Sequence, residues 1–228
     1  MKKLVLAIAL ISLTACSPTE NIKSAMVANL HSQKPQITLK SVEEIGKLKP
    51  QIKPPIKIAV AQPARNKEWT SEEIHEIESW LPELKAAGLA TDLVVIPKSL
   101  QEGCFYITSD CPRAAAAQLQ ADAIISIGQS VITDRYINPL SFLNITLIGM
   151  WIAPGHHRDS YAIYEAALID TKNGYIYSVA RGEGEANKIR PFMYADYDTG
   201  QSEASLQALK SLGKQIVTKA KQSLYNRP

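Results

Sequence analysis

The chain has 228 residues, 46% of them hydrophobic and 21% charged, with a formal net charge of +3 at neutral pH. That length suits one ordinary domain with an extended segment, and a balance so near neutral argues against the basic face that nucleic-acid binding needs. Beyond the N-terminal segment no stretch of about 18 uncharged apolar residues is expected to cross a membrane.

The first fifteen residues read as an export signal. Lys2 and Lys3 precede an apolar run over residues 4–13, broken only by Ser12 and about half as long as a bilayer span. The sequence Leu13-Thr14-Ala15-Cys16 then resembles the lipobox of bacterial lipoproteins. That resemblance implies that the Cys16 thiol is acylated by a diacylglycerol and that residues 1–15 are removed. Loss of Lys2 and Lys3 takes the formal charge from +3 to +1. Ser17, where an aspartate would resemble an inner-membrane retention signal, favours the outer membrane. The expected location is its periplasmic face, or the outer face of the plasma membrane in a cell with one membrane.

Residues 16–55 are expected to be a lipidated tether. Pro18, Pro35, Pro50, Pro54 and Pro55 interrupt it, and apolar periodicity is not sustained. Ser41 and Glu44 form a capping-box pattern for one short helix. As a flexible coil, about 39 residues reach roughly 35 Å, although part of this arm packing on the body is the alternative.

Residues 56–228 are expected to form a single α/β domain. A first strand covers 56–61. Thr70 and Glu73 make a capping box, with Trp69 and Ile74 as its hydrophobic staple. Ile74, Ile77, Leu81 and Leu84 give this helix one apolar stripe, Pro82 kinks it near Leu81, and Gly88 ends it. A second strand covers 92–97, and an alanine-rich helix follows Pro112. Four strands are then expected, over 123–127, 143–153, 161–170 and 175–185, with Thr171-Lys172-Asn173-Gly174 as a hairpin turn. An irregular loop at 187–204 and a helix over 205–224 close the chain. The order implies a two-layer α/β sandwich, a mixed sheet of about six strands with helices mainly on one face.

Residues 114–127, with Leu119-Gln120-Ala121-Asp122-Ala123-Ile124-Ile125, resemble the helix-to-strand step of several periplasmic α/β domains. These include the amino-terminal domain of the Tol–Pal translocation protein and lipoprotein partners of peptidoglycan synthases. Residues 140–170 are similar to the rhombotarget lipoproteins. There a strand like Leu147-Ile148-Gly149-Met150-Trp151 leads to a turn like Pro154-Gly155, and a second strand resembles Glu165-Ala166-Ala167-Leu168-Ile169-Asp170. The resemblance implies an envelope lipoprotein with this fold and brings no catalytic residues.

The residues offer little catalytic chemistry. Cys104 and Cys111, close in sequence, are expected to form a disulfide outside the cytoplasm. His156 to Ser160 are expected to form a solvated turn; His156 and His157 suggest metal binding as the alternative, but neighbours in a strand point to opposite faces. Glu165 with Glu183 or Glu185 could serve as a hydrolase pair, against the alternative that Glu165 is held by Arg181 or Arg190. Aromatics on the later strands are core or a docking patch, with Trp151, Tyr164, Phe192 and Tyr194 as partner-binding candidates. The favoured function is a non-enzymatic binding or assembly module without metal or cofactor. Its partners would be the membrane, through the acyl groups, and an envelope protein. An envelope-polymer hydrolase and a periplasmic metal-binding lipoprotein are the alternatives.

Overall fold

Five strands form one mixed sheet in the order β2-β1-β3-β4-β5. The computed structural model describes residues 42–63, 67–101, 110–194 and 199–225, together with Met26. The strands are β1 (Ile56–Val60), β2 (Ala90–Val95), β3 (Ala123–Ile137), β4 (His156–Asp170) and β5 (Ile176–Arg190). β1 is parallel to β2 and β3, whereas β3, β4 and β5 form an antiparallel meander. The helices are α1 (Val42–Gly46), α2 (Ser71–Glu78), α3 (Trp80–Ala86), α4 (Lys98–Gln101), α5 (Asp110–Gln118), α6 (Gly149–Ile152) and α7 (Thr199–Tyr225).

The mixed α/β architecture is as expected, with five strands rather than about six. Residues 143–153 are not a strand. They belong to an excursion between β3 and β4 made of a 3-10 turn, Pro139–Ile145, and the short helix α6. Pro139 opens the turn where its missing N–H costs nothing, and the Asn138 side chain accepts from Leu140 N. The strand length goes elsewhere: β3, β4 and β5 have 15 residues each. The loop expected at 187–204 is correspondingly shorter, because β5 runs on to Arg190 and α7 starts at Thr199.

Local signals set the helix ends. Thr70 Oγ1 accepts from Glu73 N at 3.2 Å while Glu73 Oε2 accepts from Thr70 N at 2.9 Å, completing the expected capping box. The interruption expected near Leu81 falls at Ser79, between α2 and α3. The Pro82 ring conflicts with a helical carbonyl four residues earlier, at Glu78. After α3, Gly88 takes φ +68°, and Gly88 N and Leu89 N bond to the carbonyls of Lys85 and Leu84. That is a Schellman ending. The same pair of bonds ends α5, but there Gln120 occupies the left-handed position at φ +55°.

One sheet face carries Ile58, Val60, Ile125, Ile127, Ala162, Ala166 and Leu168 against Ile77, Trp80, Leu84, Leu209, Leu212 and Ile216 of α2, α3 and α7. β5 meets α7 through Ala180, Gly182, Gly184 and Ala186. A Cβ on Gly182 would lie 2.2 Å from Ala208 O, and one on Gly184 would lie 2.1 Å from Ala204 O. Helix backbone therefore rests directly on strand backbone, which explains two glycines that alternate with charged residues. The opposite face packs Ala59, Ala61 and Ile124 against Ala115 and Ala116 of α5, so helices do lie mainly on one side.

The arm also reaches the body. Asn173 Nδ2 donates to Lys49 O at 2.7 Å, and the Tyr177 hydroxyl accepts from Gln51 N and Ile52 N, each at 2.9 Å. Met26 is buried on the far sheet face with Tyr161 and Ile163, against Ile132. These parts of the expected tether are docked, so a free coil reach does not describe them.

Candidate functional site

Helix α7 covers the meander only as far as a polar rung. Thr133 Oγ1 and Ser160 Oγ are 2.8 Å apart, and Gln201 Nε2 donates to Thr133 Oγ1 at 2.8 Å. Beyond this point Glu203 of α7 still reaches Lys188, and the remaining residues of β3, β4 and β5 are half-buried or exposed. Arg135 pairs with Arg158 and Arg158 with Lys188; Tyr136 with His157 and His157 with Ile189; Ile137 with His156 and His156 with Arg190. The excursion then projects from the end of the ribbon.

Asparagines close its neck. Asn138 N donates to Gly155 O at 2.9 Å. With Asn138 Oδ1 accepting from Leu140 N, the amide orientation is fixed. Asn138 Nδ2 then donates to Pro154 O and to His157 Nε2, each at 2.9 Å. The His157 Nε2 therefore accepts. Asn144 Nδ2 lies 3.1 Å from His156 Nε2. Thr146 Oγ1 donates to Leu143 O at 2.8 Å and accepts from Gly149 N at 2.9 Å, holding the entry to α6. Gly149 and Gly155 permit close backbone contacts, since a Cβ would lie 1.8 Å from Leu143 O and 2.7 Å from Ser141 Cα respectively.

Apart from the buried Asn144 Oδ1, which has no hydrogen-bond partner, the polar groups of the neck are used internally, and the apolar side chains point outward. Ile145 is 88% exposed, and Ile137, Phe142, Leu147, Ile148 and Ile152 are also largely exposed. A second apolar strip, the 3-10 turn Phe192–Tyr194, joins them. Trp151 meets Tyr194 edge-on at 5.7 Å, and Phe192 lies 5.4 Å from the His156 ring. On the other side of the ribbon Tyr136 stacks on His157 at 4.7 Å. An open depression of about 280 Å³ between Arg135, Tyr136, His156 and Phe192 marks the base of this tip.

The structure brings together three of the four expected partner-binding residues, Trp151, Phe192 and Tyr194. Tyr164 is a correction. Strand alternation puts it on the α7 face with Ala162 and Ala166, where it is fully buried and stacks on Trp69 at 6.1 Å. Its hydroxyl donates to Glu73 Oε1 at 3.1 Å, and burial pushes its ionisation well above the usual tyrosine value. Tyr161, pointing the other way, is raised to about 12, first by burial and then by Glu185 and Asp159.

The other candidates find structural partners. Arg181 lies between two carboxylates, 3.7 Å from Glu165 Oε1 and 2.9 Å from Glu183 Oε1, on an exposed face. His156 and His157 stand in β4 rather than in a turn, on opposite faces, each facing its own asparagine. Among the described residues no group of three or more His, Cys, Asp or Glu is placed to hold a metal ion. Cys111 is in the first turn of α5, while Cys16 and Cys104 lie outside the described residues. Among the described residues no helix is long and apolar enough to cross a membrane.

No family model matches the sequence, and no curated protein does. Solved structures give weak likenesses. The PelC dodecamer from Paraburkholderia phytofirmans shows 19% identity and a TM-score of 0.33, covering 74% of this chain and 90% of that one. The lipoprotein GNA1162 from Neisseria meningitidis shows 14% identity and a TM-score of 0.34, covering 59% and 85%. Protein XCC0632 from Xanthomonas campestris, of the DUF330 family, shows 10% identity and a TM-score of 0.36, covering 76% and 92%. At these scores the likenesses decide neither family nor function.

Proposed function

We propose that this protein is a non-enzymatic binding module, held at the cell envelope by an acylated Cys16, and that the apolar tip is its working surface. One observation carries the reading. The tip is built by its own hydrogen bonds, yet it leaves a contiguous group of large apolar side chains in solvent. Exposed apolar patches of this kind mark interaction sites. The shared Arg181 supports binding over hydrolysis, because it neutralises Glu165 and Glu183 on an open face instead of poising them across a cleft. The lipobox residues, with Ser17 rather than an aspartate after Cys16, support an outer-membrane address.

A photo-crosslinking residue placed at Ile145 tests the working surface in intact cells, with exposed Lys221 on α7 as control. Adducts at the tip and none at the control are expected; equal adducts, or none at the tip, overturn the reading. The address is tested separately. A Cys16→Ser variant should keep its unprocessed mass and lose its acyl anchor, and normal processing of that variant would refute lipidation. Alkylation followed by mass spectrometry should find Cys104 and Cys111 protected as a pair, whereas two alkylated thiols would refute that bridge.

A further inference from the structure

We propose that the tip is a second membrane contact, entering the headgroup boundary of the same anionic bilayer that holds Cys16. This deepens the reading of the tip as the working surface and names its partner as a lipid surface. Four features of the molecule point to it.

The first is the composition of the tip. Between Arg135 and Arg158 the sequence has no Asp, Glu, Lys or Arg. The backbone of the excursion is folded on itself through Asn138, Thr146 and the turn hydrogen bonds, which suits a segment moving into a medium poor in water. The second is charge. Arg135, Arg158 and Lys188 form one rung directly behind the apolar residues, with Arg190 two rungs nearer the tip, level with Ile137 and His156. On these strands Asp134 and Asp159 sit one rung farther back, although Asp159 Oδ2 reaches forward to accept from the Tyr136 hydroxyl at 3.0 Å. Lys188 is also held by Glu203 of α7. A cationic collar behind an apolar tip is complementary to anionic headgroups above an acyl core. Two copies meeting tip to tip would oppose two such collars, which disfavours a second copy as the occupant.

The third feature is the placement of the aromatics. Trp151 and Tyr194 pack edge-on within the exposed apolar group itself, and Tyr and Trp concentrate at membrane interfaces. The fourth is reach. Met26 is packed at the rung of Ile132 and Tyr161, five rungs from Ile137 and His156, or about 17 Å along the ribbon. Cys16 lies ten residues before Met26, and ten residues span at most roughly 35 Å. The acyl group and the tip can therefore occupy one bilayer surface together. The acyl chains keep the domain at the membrane, and the tip fixes which way it stands.

The tryptophans supply the probe. Trp69 and Trp80 are 5% and 4% exposed, whereas Trp151 is 47% exposed. The acylated full-length product is reconstituted in phosphatidylcholine vesicles, with and without phosphatidylglycerol, containing lipids brominated on the acyl chains. Emission from Trp151 should shift to the blue and be quenched, more strongly with phosphatidylglycerol and less so at high salt. Trp151→Phe should abolish the quenchable part, and Ile145→Ser with Ile148→Ser should reduce it several-fold. Arg158→Gln should remove the phosphatidylglycerol increment. Absence of both shift and quenching in the wild-type protein overturns the inference, and that measurement depends on no variant folding. Protein adducts from Ile145 in cells, without lipid quenching, would refute the membrane contact and leave the binding reading standing. Failure of both measurements would remove both.

Discussion

The two ends of the β3–β4–β5 ribbon satisfy their backbones in the same way and treat apolar surface in opposite ways. At the turn end Asp170 is buried. Its Oδ1 accepts from Lys172 N and Asn173 N, at 2.8 and 3.3 Å, and its Oδ2 accepts from the Tyr177 hydroxyl at 3.2 Å. That hydroxyl in turn accepts from Gln51 N and Ile52 N, tying the arm to the turn. Arg113 of α5 donates to the carbonyls of Thr171 and Lys172. At the tip Asn138 and Thr146 perform the corresponding work, but no helix among the described residues covers the result. Hydrogen bonds give a segment its shape, whereas burial of apolar area supplies most of the stability. A segment shaped without burial contributes little to stability, which is why its surface is the one proposed as the working surface.

The comparison breaks most severely where α7 rests on β5. Gly182→Ala places a Cβ against Ala208 O, so the helix must move off the strand or the strand must bend. The expected loss is about 3 kcal/mol, at the upper end for overpacking, read from urea or thermal unfolding. A loss below about 0.5 kcal/mol would show that the helix seat is loose and that the covered part of the ribbon is not the stability-bearing part.

Next in size is the turn end. Tyr177→Phe removes the acceptor for two backbone N–H groups and the donor to buried Asp170. About 2 kcal/mol of destabilisation is expected, with faster hydrogen exchange at Gln51 and Ile52. Unchanged exchange there would mean that the arm is held by Ile52 packing alone. A smaller effect of opposite sign belongs to Gln120, whose left-handed backbone suits glycine. Gln120→Gly should raise stability by roughly 1 kcal/mol while leaving vesicle binding as it was.

The covered part was more legible in the sequence than the tip, and the reason is local physics. The Thr70–Glu73 box and the Gly88 ending depend on residues three to five positions apart, so their pattern is their mechanism. Tyr164 was legible in principle, since Ala162, Ala166 and Leu168 define the inward parity of β4. Gly182 and Gly184, at that parity with Ala180 and Ala186, spell out a helix seat that their charged neighbours obscured. Residues 143–153 misled because an apolar run without clear alternation carries no mark of whether it is buried. The overlooked signal was the absence of charge from Arg135 to Arg158, opened by the turn-forming Asn138-Pro139 pair. Docking of Met26 and of residues 49–52 depends on contacts far apart in sequence, which no local pattern announces.

The smallest stability effect is the most informative one. Ile145 is 88% exposed, and no hydrogen bond of the neck depends on its side chain. Ile145→Ser should therefore change unfolding by less than about 0.5 kcal/mol. Were the tip ordinary protein surface, that substitution would be silent in every assay. If Ile145 instead enters a bilayer, replacing its aliphatic side chain with a hydroxymethyl removes apolar area from the contact alone. The expected outcome is a variant with the unfolding curve of the wild type and weaker quenching of Trp151 by brominated lipid. A large drop in stability would place Ile145 in the fold's own energetics, and the contrast between the two ends of the ribbon would then collapse.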